Sequence, residues 1–124
     1  MCKAINSKHV PEAVGPYSHG MDIGSLVFTS GQLPIDAATG VIPESAGEQA
    51  RVSLENVKKT LEEAGTTMDK VVKTTVFVSD LKNFAEINEV YATFFTAPYS
   101  ARSCVEVSRL PKDVLVEIEA IAVK

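Results

Sequence analysis

The chain has 124 residues, a length at which one domain is the default and folding hides roughly 65% of the extended chain's surface. Apolar residues make up 45% and charged residues 23%, the balance of a globular protein, which excludes a disordered one. The net charge is −4 and the lysines and arginines are scattered, so the chain lacks the concentrated positive charge with which nucleic-acid binders displace counterions.

Two cysteines, Cys2 and Cys104, do not make a secreted disulfide framework. Met1-Cys2-Lys3-Ala4-Ile5 has neither the apolar stretch of a signal peptide nor the second-position glycine that myristoylation requires. The longest apolar-rich segment, 114–123, is interrupted by Glu117 and Glu119, which argues against a membrane span. The expectation is a single cytoplasmic domain over 1–124, with no repeat, low-complexity tract or linker. His9 and His19 have no companion at metal-ligand spacing, so no metal site is expected.

Residues 26–30 (Leu-Val-Phe-Thr-Ser) read as a strand stopped by Gly31. Pro34 to Pro43, with Asp36, Thr39 and Gly40, reads as a turn or short hairpin loop. Ser45 and Glu48 have capping-box spacing, and Ala50, Leu54, Val57, Leu61 and Ala64 then recur in steps of four and three. With Gly65 placed for a left-handed cap, this pattern predicts a helix over about 46–64. The β-branched run 70–78 predicts a strand. Phe84, Ile87, Tyr91 and Phe94 predict a second helix over about 82–95, capped by Asn83 with Glu86, or starting from Ser79 or Asp80. Strands at 101–107 and 114–123 close the chain as a hairpin across Ser-Arg-Leu-Pro-Lys-Asp. Two helices can cover only one face of such a sheet, which gives a two-layer α+β sandwich whose other face meets solvent or another subunit.

Side-chain alternation then assigns faces to the hairpin. Ala101, Ser103, Val105 and Val107 are expected toward the core with Val114, Val116, Ile118, Ala120 and Ala122. Arg102, Cys104 and Glu106 are expected opposite, with Leu115, Glu117, Glu119, Ile121 and Val123, at any register that keeps the apolar set inside. A face that mixes large apolar side chains with charges, and has no helix to cover it, predicts subunits packed together in a closed homo-oligomer. Two readings of the charged groups stay open. Arg102 can grip a carboxylate with its planar fork while Glu117 holds a water and moves protons. Alternatively, Arg102 and Glu119 form a cross-strand salt bridge, with Cys104 as packing.

Four blocks carry a resemblance. They are Val14-Gly15-Pro16-Tyr17-Ser18, Thr29-Ser30-Gly31-Gln32-Leu33-Pro34, Lys73-Thr74-Thr75-Val76-Phe77-Val78, and the long block from Ala101-Arg102-Ser103-Cys104 through Leu110-Pro111-Lys112-Asp113 to Glu117-Ile118-Glu119. In this order, and over essentially the whole chain, they resemble the RidA (YjgF-type) family of enamine/imine deaminases. The resemblance implies a chorismate-mutase-like α+β fold, assembled as a homotrimer with its sheets in a central barrel and clefts between subunits. It implies hydrolysis of 2-imino acids such as 2-iminopropanoate and 2-iminobutanoate to 2-oxo acids and ammonia, with no metal or organic cofactor. Such imines leak from pyridoxal-phosphate enzymes, serine and threonine dehydratases among them.

Carried over by position, Arg102 grips the substrate carboxylate and Glu117 positions or activates the attacking water. Tyr17 lines the cleft, and the Ser30-Gly31 turn brings backbone close to the ligand, an approach glycine permits. Phe84 walls the pocket, Asn88 follows one helical turn later, and Cys104 matches the family's reactive cysteine. Ser100 stands where family members usually have proline before the Ala-Arg pair, after a loop shortened to 96–100. The rival readings are a non-catalytic trimer that binds small metabolites, a ribonuclease or translation inhibitor, and a chorismate mutase. The acidic balance opposes the second. A single candidate arginine for a dianionic substrate opposes the third.

Overall fold

In the computed structural model, which describes residues 2–124, the first helix, α1, runs Ala46–Glu63 as its caps predict. Ser45 Oγ accepts from the Glu48 N–H at 3.2 Å, while Glu48 turns its carboxylate to Arg51 at 2.8 Å rather than back to the cap. Gly65 takes φ +87, which lets the Thr66 N–H reach back to the Leu61 carbonyl at 3.0 Å and close the helix. The stripe Ala50, Leu54, Val57, Leu61 and Ala64 is buried along its whole length.

The second helix, α2, is Phe84–Ala92, shorter at both ends than its periodicity predicts. Asp80 accepts from the Lys82 N–H at 2.8 Å and caps a tight turn over Leu81–Asn83, so Asn83 is no cap. At the far end the Thr93 and Phe94 N–H groups bond to the Val90 and Tyr91 carbonyls, three residues back, which tightens and ends the helix. Glu86 reaches across to α1, where its carboxylate accepts from the Gly47 N–H at 2.6 Å. That places negative charge at the N-terminus of α1 and staples the two helices. Glu86→Ala is expected to lower stability by about 1 kcal/mol, read as an earlier midpoint in urea denaturation.

Six strands form one mixed sheet: β1 (Lys3–Ile5), β2 (Gly20–Asp22), β3 (Leu26–Thr29), β4 (Val71–Val78), β5 (Ala101–Glu106) and β6 (Val116–Val123). Their order is β1-β2-β3-β6-β4-β5, parallel only between β4 and β5. Val27, Leu54, Val57, Leu61, Val78, Val116 and Ile118 are wholly buried between sheet and helices, so the predicted two-layer α+β sandwich is the architecture found. Strands β1 and β2 are three residues each, too short for alternation to announce them.

The expected hairpin is not formed, because β4 lies between β5 and β6. Val76 pairs with Cys104 of β5 in parallel and with Ile118 of β6 antiparallel. In β5 every residue but Cys104 is exposed, which suits an edge, and α2 supplies the crossover a parallel neighbour requires. Paired residues share a face. Arg102 and Cys104 therefore lie with Thr74 and Val76 on the helix side, while Glu117 and Glu119 lie with Phe77 and Thr75 on the open side. The expectation that Arg102, Cys104 and Glu117 share one face is overturned. The parity of β6 holds and that of β5 is inverted. The edge position leaves Val105 facing outward and lets α2 cover the arginine instead.

Met21, Phe28, Val105 and Val123 are exposed on the open face, beside Phe77 and Ile121.

Candidate active site

Arg102 projects from the edge strand toward α2. Its guanidinium carbon lies 5.5 Å from the centre of the Phe84 ring and 4.8 Å from that of Tyr91. Phe84, Asn88 and Tyr91 follow at steps of four and three, so they share one face of α2. Asn88 Oδ1 accepts from Arg102 Nη1 at 2.7 Å. Among the described residues no acidic group pairs with Arg102, and the alternative bridge to Glu119 is not made, because Glu119 lies on the opposite face. A guanidinium held only by neutral partners keeps its charge free for an anion. An open cleft of about 510 Å³ lies before it, lined by Asn88, Tyr91, Ala92, Tyr99 and Ser100. The shortened loop 96–100 thus supplies part of the wall. Cys104 packs half-buried against the core; burial pushes its thiol up, and the nearby Arg102 charge offsets this only in part. It is a neutral thiol at pH 7.

A second group assembles around Glu117. The Ser30 N–H donates to the His19 carbonyl at 2.8 Å and Ser30 Oγ donates to the Ser18 carbonyl at 2.6 Å, fixing the segment that carries Tyr17. Gln32 exchanges backbone bonds with Ile118, at 2.8 and 3.3 Å, and its carbonyl also accepts from the Ser53 hydroxyl. This clamp sets Gly31 against Glu117. A Cβ built on Gly31 would overlap Glu117 Oε2 and lie 2.8 Å from Cδ, so only glycine leaves the space the carboxylate occupies. Burial raises the pKa of Glu117, and the charge of Glu119, two residues along the same face, raises it further. A carboxyl so placed exchanges protons closer to neutral pH than a solvated one. Tyr17 is exposed and borders a small pocket shared with Gly31 and Lys112. Lys112 and Asp113 both hold φ at 57, in a turn braced by two bonds from Arg109 to Asp113 at 2.6 and 3.0 Å.

The predicted site residues thus fall into two groups. Arg102, Asn88, Phe84 and Cys104 form one, and Tyr17, Ser30, Gly31 and Glu117 the other. Register places Arg102 level with Thr74 and Glu117 level with Phe77, two strands apart and on opposite faces. That is about 10 Å across and about 10 Å along, with the sheet between. A single chain does not close both groups on one small molecule. Tyr91, Thr74 and Gln32 complete the two groups and were not among the candidates. The three-residue spacing from Asn88 signals Tyr91, whereas the bridge of Gln32 to Ile118 exists only through tertiary pairing. A surface hollow of about 770 Å³ between α1 and α2 is lined by Arg51, Glu55, Lys58 and Glu89 and holds none of the candidates. Among the described residues no three His, Cys, Asp or Glu side chains are grouped to hold a metal ion, and no helix is long and apolar enough to cross a membrane.

The sequence model of the family described as endoribonuclease L-PSP matches residues 7–124. The chain is 56% identical to the 2-iminobutanoate/2-iminopropanoate deaminase of Salmonella typhimurium, an alignment that covers 100% of this chain and 99% of that one. The YjgF gene product of E. coli superimposes with a TM-score of 0.95 at 52% identity, over 98% of each chain. E. coli TdcF with bound serine does so with a TM-score of 0.95 at 54% identity, again over 98% of each. With a family match that reaches the last residue and identities above half across whole chains, this chain belongs to the RidA (YjgF-type) family, whose sequence model carries the endoribonuclease L-PSP description.

Proposed function

We propose that the chain hydrolyses small 2-imino acids, such as 2-iminopropanoate and 2-iminobutanoate: R–C(=NH)–COO⁻ + H₂O → R–CO–COO⁻ + NH₃. The observation that carries this reading is the Arg102 fork, set over the rings of Phe84 and Tyr91 and bonded only to neutral Asn88, at the mouth of a cleft. Arg102 takes the substrate carboxylate in two parallel hydrogen bonds. Glu117 accepts a proton as water oxygen bonds to the imine carbon and passes it to the imine nitrogen, giving a carbinolamine. It then takes the hydroxyl proton as the C=O bond forms and delivers it to nitrogen as the C–N bond breaks, so both water protons leave in NH₃. Water adds to an imine without electron transfer, so orientation and one proton carrier meet the chemical demand, and the reading calls for no cofactor. Tyr17, Ser30, Gly31, Phe84, Asn88 and Cys104 surround the substrate.

The two groups meet across subunits. The open faces, with exposed Met21, Phe28, Val105 and Val123, pack into the barrel of a closed homotrimer. Arg102 of one subunit then faces Glu117 of its neighbour, which the single chain cannot arrange. The substrates are the imines released by pyridoxal-phosphate dehydratases. Two free thiols, Cys2 and Cys104, suit the cytoplasm where those enzymes work.

TdcF has been solved with serine bound, so a relative accepts an amino acid, and this favours a second reading, a metabolite-binding trimer without catalysis. A threonine dehydratase assay separates the two. Adding the chain at fixed dehydratase flux is expected to speed release of 2-oxobutanoate; equal release with and without it would leave metabolite binding.

Glu117→Gln is expected to lower turnover about 100-fold while leaving the affinity for 2-oxobutanoate, measured by calorimetry, within a few-fold. The wild-type rate is expected to rise with pH as Glu117 ionises, with the acid limb of its profile moved upward from that of a solvated glutamate by burial and by Glu119, and absent from the variant. Stability runs the other way. A carboxyl whose folded pKa is raised contributes stability that is full below the unfolded pKa and is lost as pH rises through the folded pKa. Glu117→Gln therefore melts higher than wild type at pH 7, and the difference closes below about pH 4.

A further inference from the structure

Behind the Arg102 fork stands a buried pair of hydroxyls that the proposed reaction does not use. Thr74 is 1% exposed and Tyr91 is 7% exposed, and their hydroxyl oxygens lie 2.7 Å apart. Thr74 is the register partner of Arg102, on the neighbouring strand and the same face of the sheet. The three residues close a loop. The Tyr91 ring descends from α2, its hydroxyl docks on Thr74, and its face lies 4.8 Å from the guanidinium carbon of the residue paired with Thr74. Phe95 packs nearby, its ring centre 4.7 Å from that of Tyr91, so the ring is held by packing as well as at its tip.

We propose that Thr74 and Tyr91 are positioning residues for the substrate carboxylate, their hydroxyl bond setting the tilt of the ring on which the Arg102 fork lies. A cation over an aromatic face slides easily, because the attraction varies little over the ring. A fork that must meet both oxygens of a carboxylate tolerates little such motion. Asn88 fixes one corner of the guanidinium, at Nη1, and the ring fixes its plane. Without the bond to Thr74 only packing sets the tilt of the ring, and the plane of the guanidinium follows that tilt. A buried phenol that lost this partner would also keep an unsatisfied hydroxyl, which drives it to a new position.

This inference rests on Arg102 being the carboxylate anchor, so the test carries both. Binding of 2-oxobutanoate is measured by calorimetry, and apparent KM and kcat for 2-iminobutanoate made in place by threonine dehydratase. Tyr91→Phe keeps the ring and removes the bond; Thr74→Val keeps the shape and removes it from the other side; Thr74→Ser keeps the hydroxyl. The first two are expected to weaken 2-oxobutanoate binding and raise KM by about 5-fold each, with kcat within about twofold. The double variant is expected to be no worse than either alone, because both remove one bond. Thr74→Ser should bind several-fold better than Thr74→Val. If Arg102→Lys loses binding while Tyr91→Phe and Thr74→Val bind like wild type, the positioning role is overturned and the anchor stands. Equal losses in Thr74→Ser and Thr74→Val overturn it too, because packing and not the hydroxyl is then at work. If Arg102→Lys itself binds like wild type, the anchor reading fails and takes this inference with it.

Discussion

Replacing Arg102 by lysine is expected to lower kcat/KM for 2-iminobutanoate on the order of 100-fold and to leave the fold intact. Lysine keeps the charge and loses everything else that the surroundings of Arg102 use. The planar guanidinium lies near the rings of Phe84 and Tyr91, donates to Asn88 from Nη1 and lines the cleft. An ammonium is a compact, strongly hydrated point with no plane to stack and no second parallel bond to offer. The substrate then pivots about a single contact, and the imine carbon leaves the line of the attacking water. Stability should hardly move, because Arg102 is exposed on an edge strand, and exposed substitutions usually shift stability by about 0.5 kcal/mol or less. The dehydratase-coupled assay gives the rate, and thermal melting and sedimentation show the fold and assembly unchanged. Turnover within a few-fold of wild type would remove Arg102 from the anchor role.

How far the sequence could be read follows from the range of each interaction. Helix α1 is written locally: Ser45, the four-three stripe and Gly65 each act within a few residues, and the helix begins at Ala46 as they require. The inward set of β6, Val116 through Ala122, is equally local, because alternation is a property of one strand. The neighbour of β5 is not local. Strands 101–107 and 114–123, separated by six residues, have the form of a hairpin, and only the α2 crossover and the unpaired edge of β4 make β5 a parallel partner instead. A hairpin with β6 would turn Arg102 to the open face, whereas the parallel pairing with β4 turns it to the helix side. The same limit applies to Glu86, which has the spacing to cap its own helix but serves the N-terminus of α1, 39 residues earlier in the chain. The family resemblance named the site residues without regard to face. The structure divides them into two groups on opposite faces of the sheet, and the proposed subunit contact rests on that division.

Gly31→Ala should be the sharpest test of the Glu117 group. A Cβ at Gly31 falls on the carboxylate of Glu117, so the two cannot occupy the places they hold. Nothing in the backbone forbids alanine, since Gly31 is not among the glycines with positive φ. The collision is with the end of a flexible side chain, which can swing aside, so stability is expected to fall only slightly. Catalysis cannot be spared in the same way, because a carboxylate displaced by an ångström or more no longer meets the proton of the attacking water, at a cost of about 100-fold. Gly47 provides the contrast. A Cβ there also meets a carboxylate, that of Glu86, at 2.9 Å, but this one caps α1 and touches no substrate, so the damage falls on stability. The Gly31→Ala variant should therefore bind 2-oxobutanoate through an undisturbed Arg102, melt close to wild type, and turn over about as slowly as Glu117→Gln. Combined with Glu117→Gln it should add almost nothing, because both changes remove the same carboxylate from the same place. Wild-type turnover in Gly31→Ala would show that the proton is carried by some group other than Glu117.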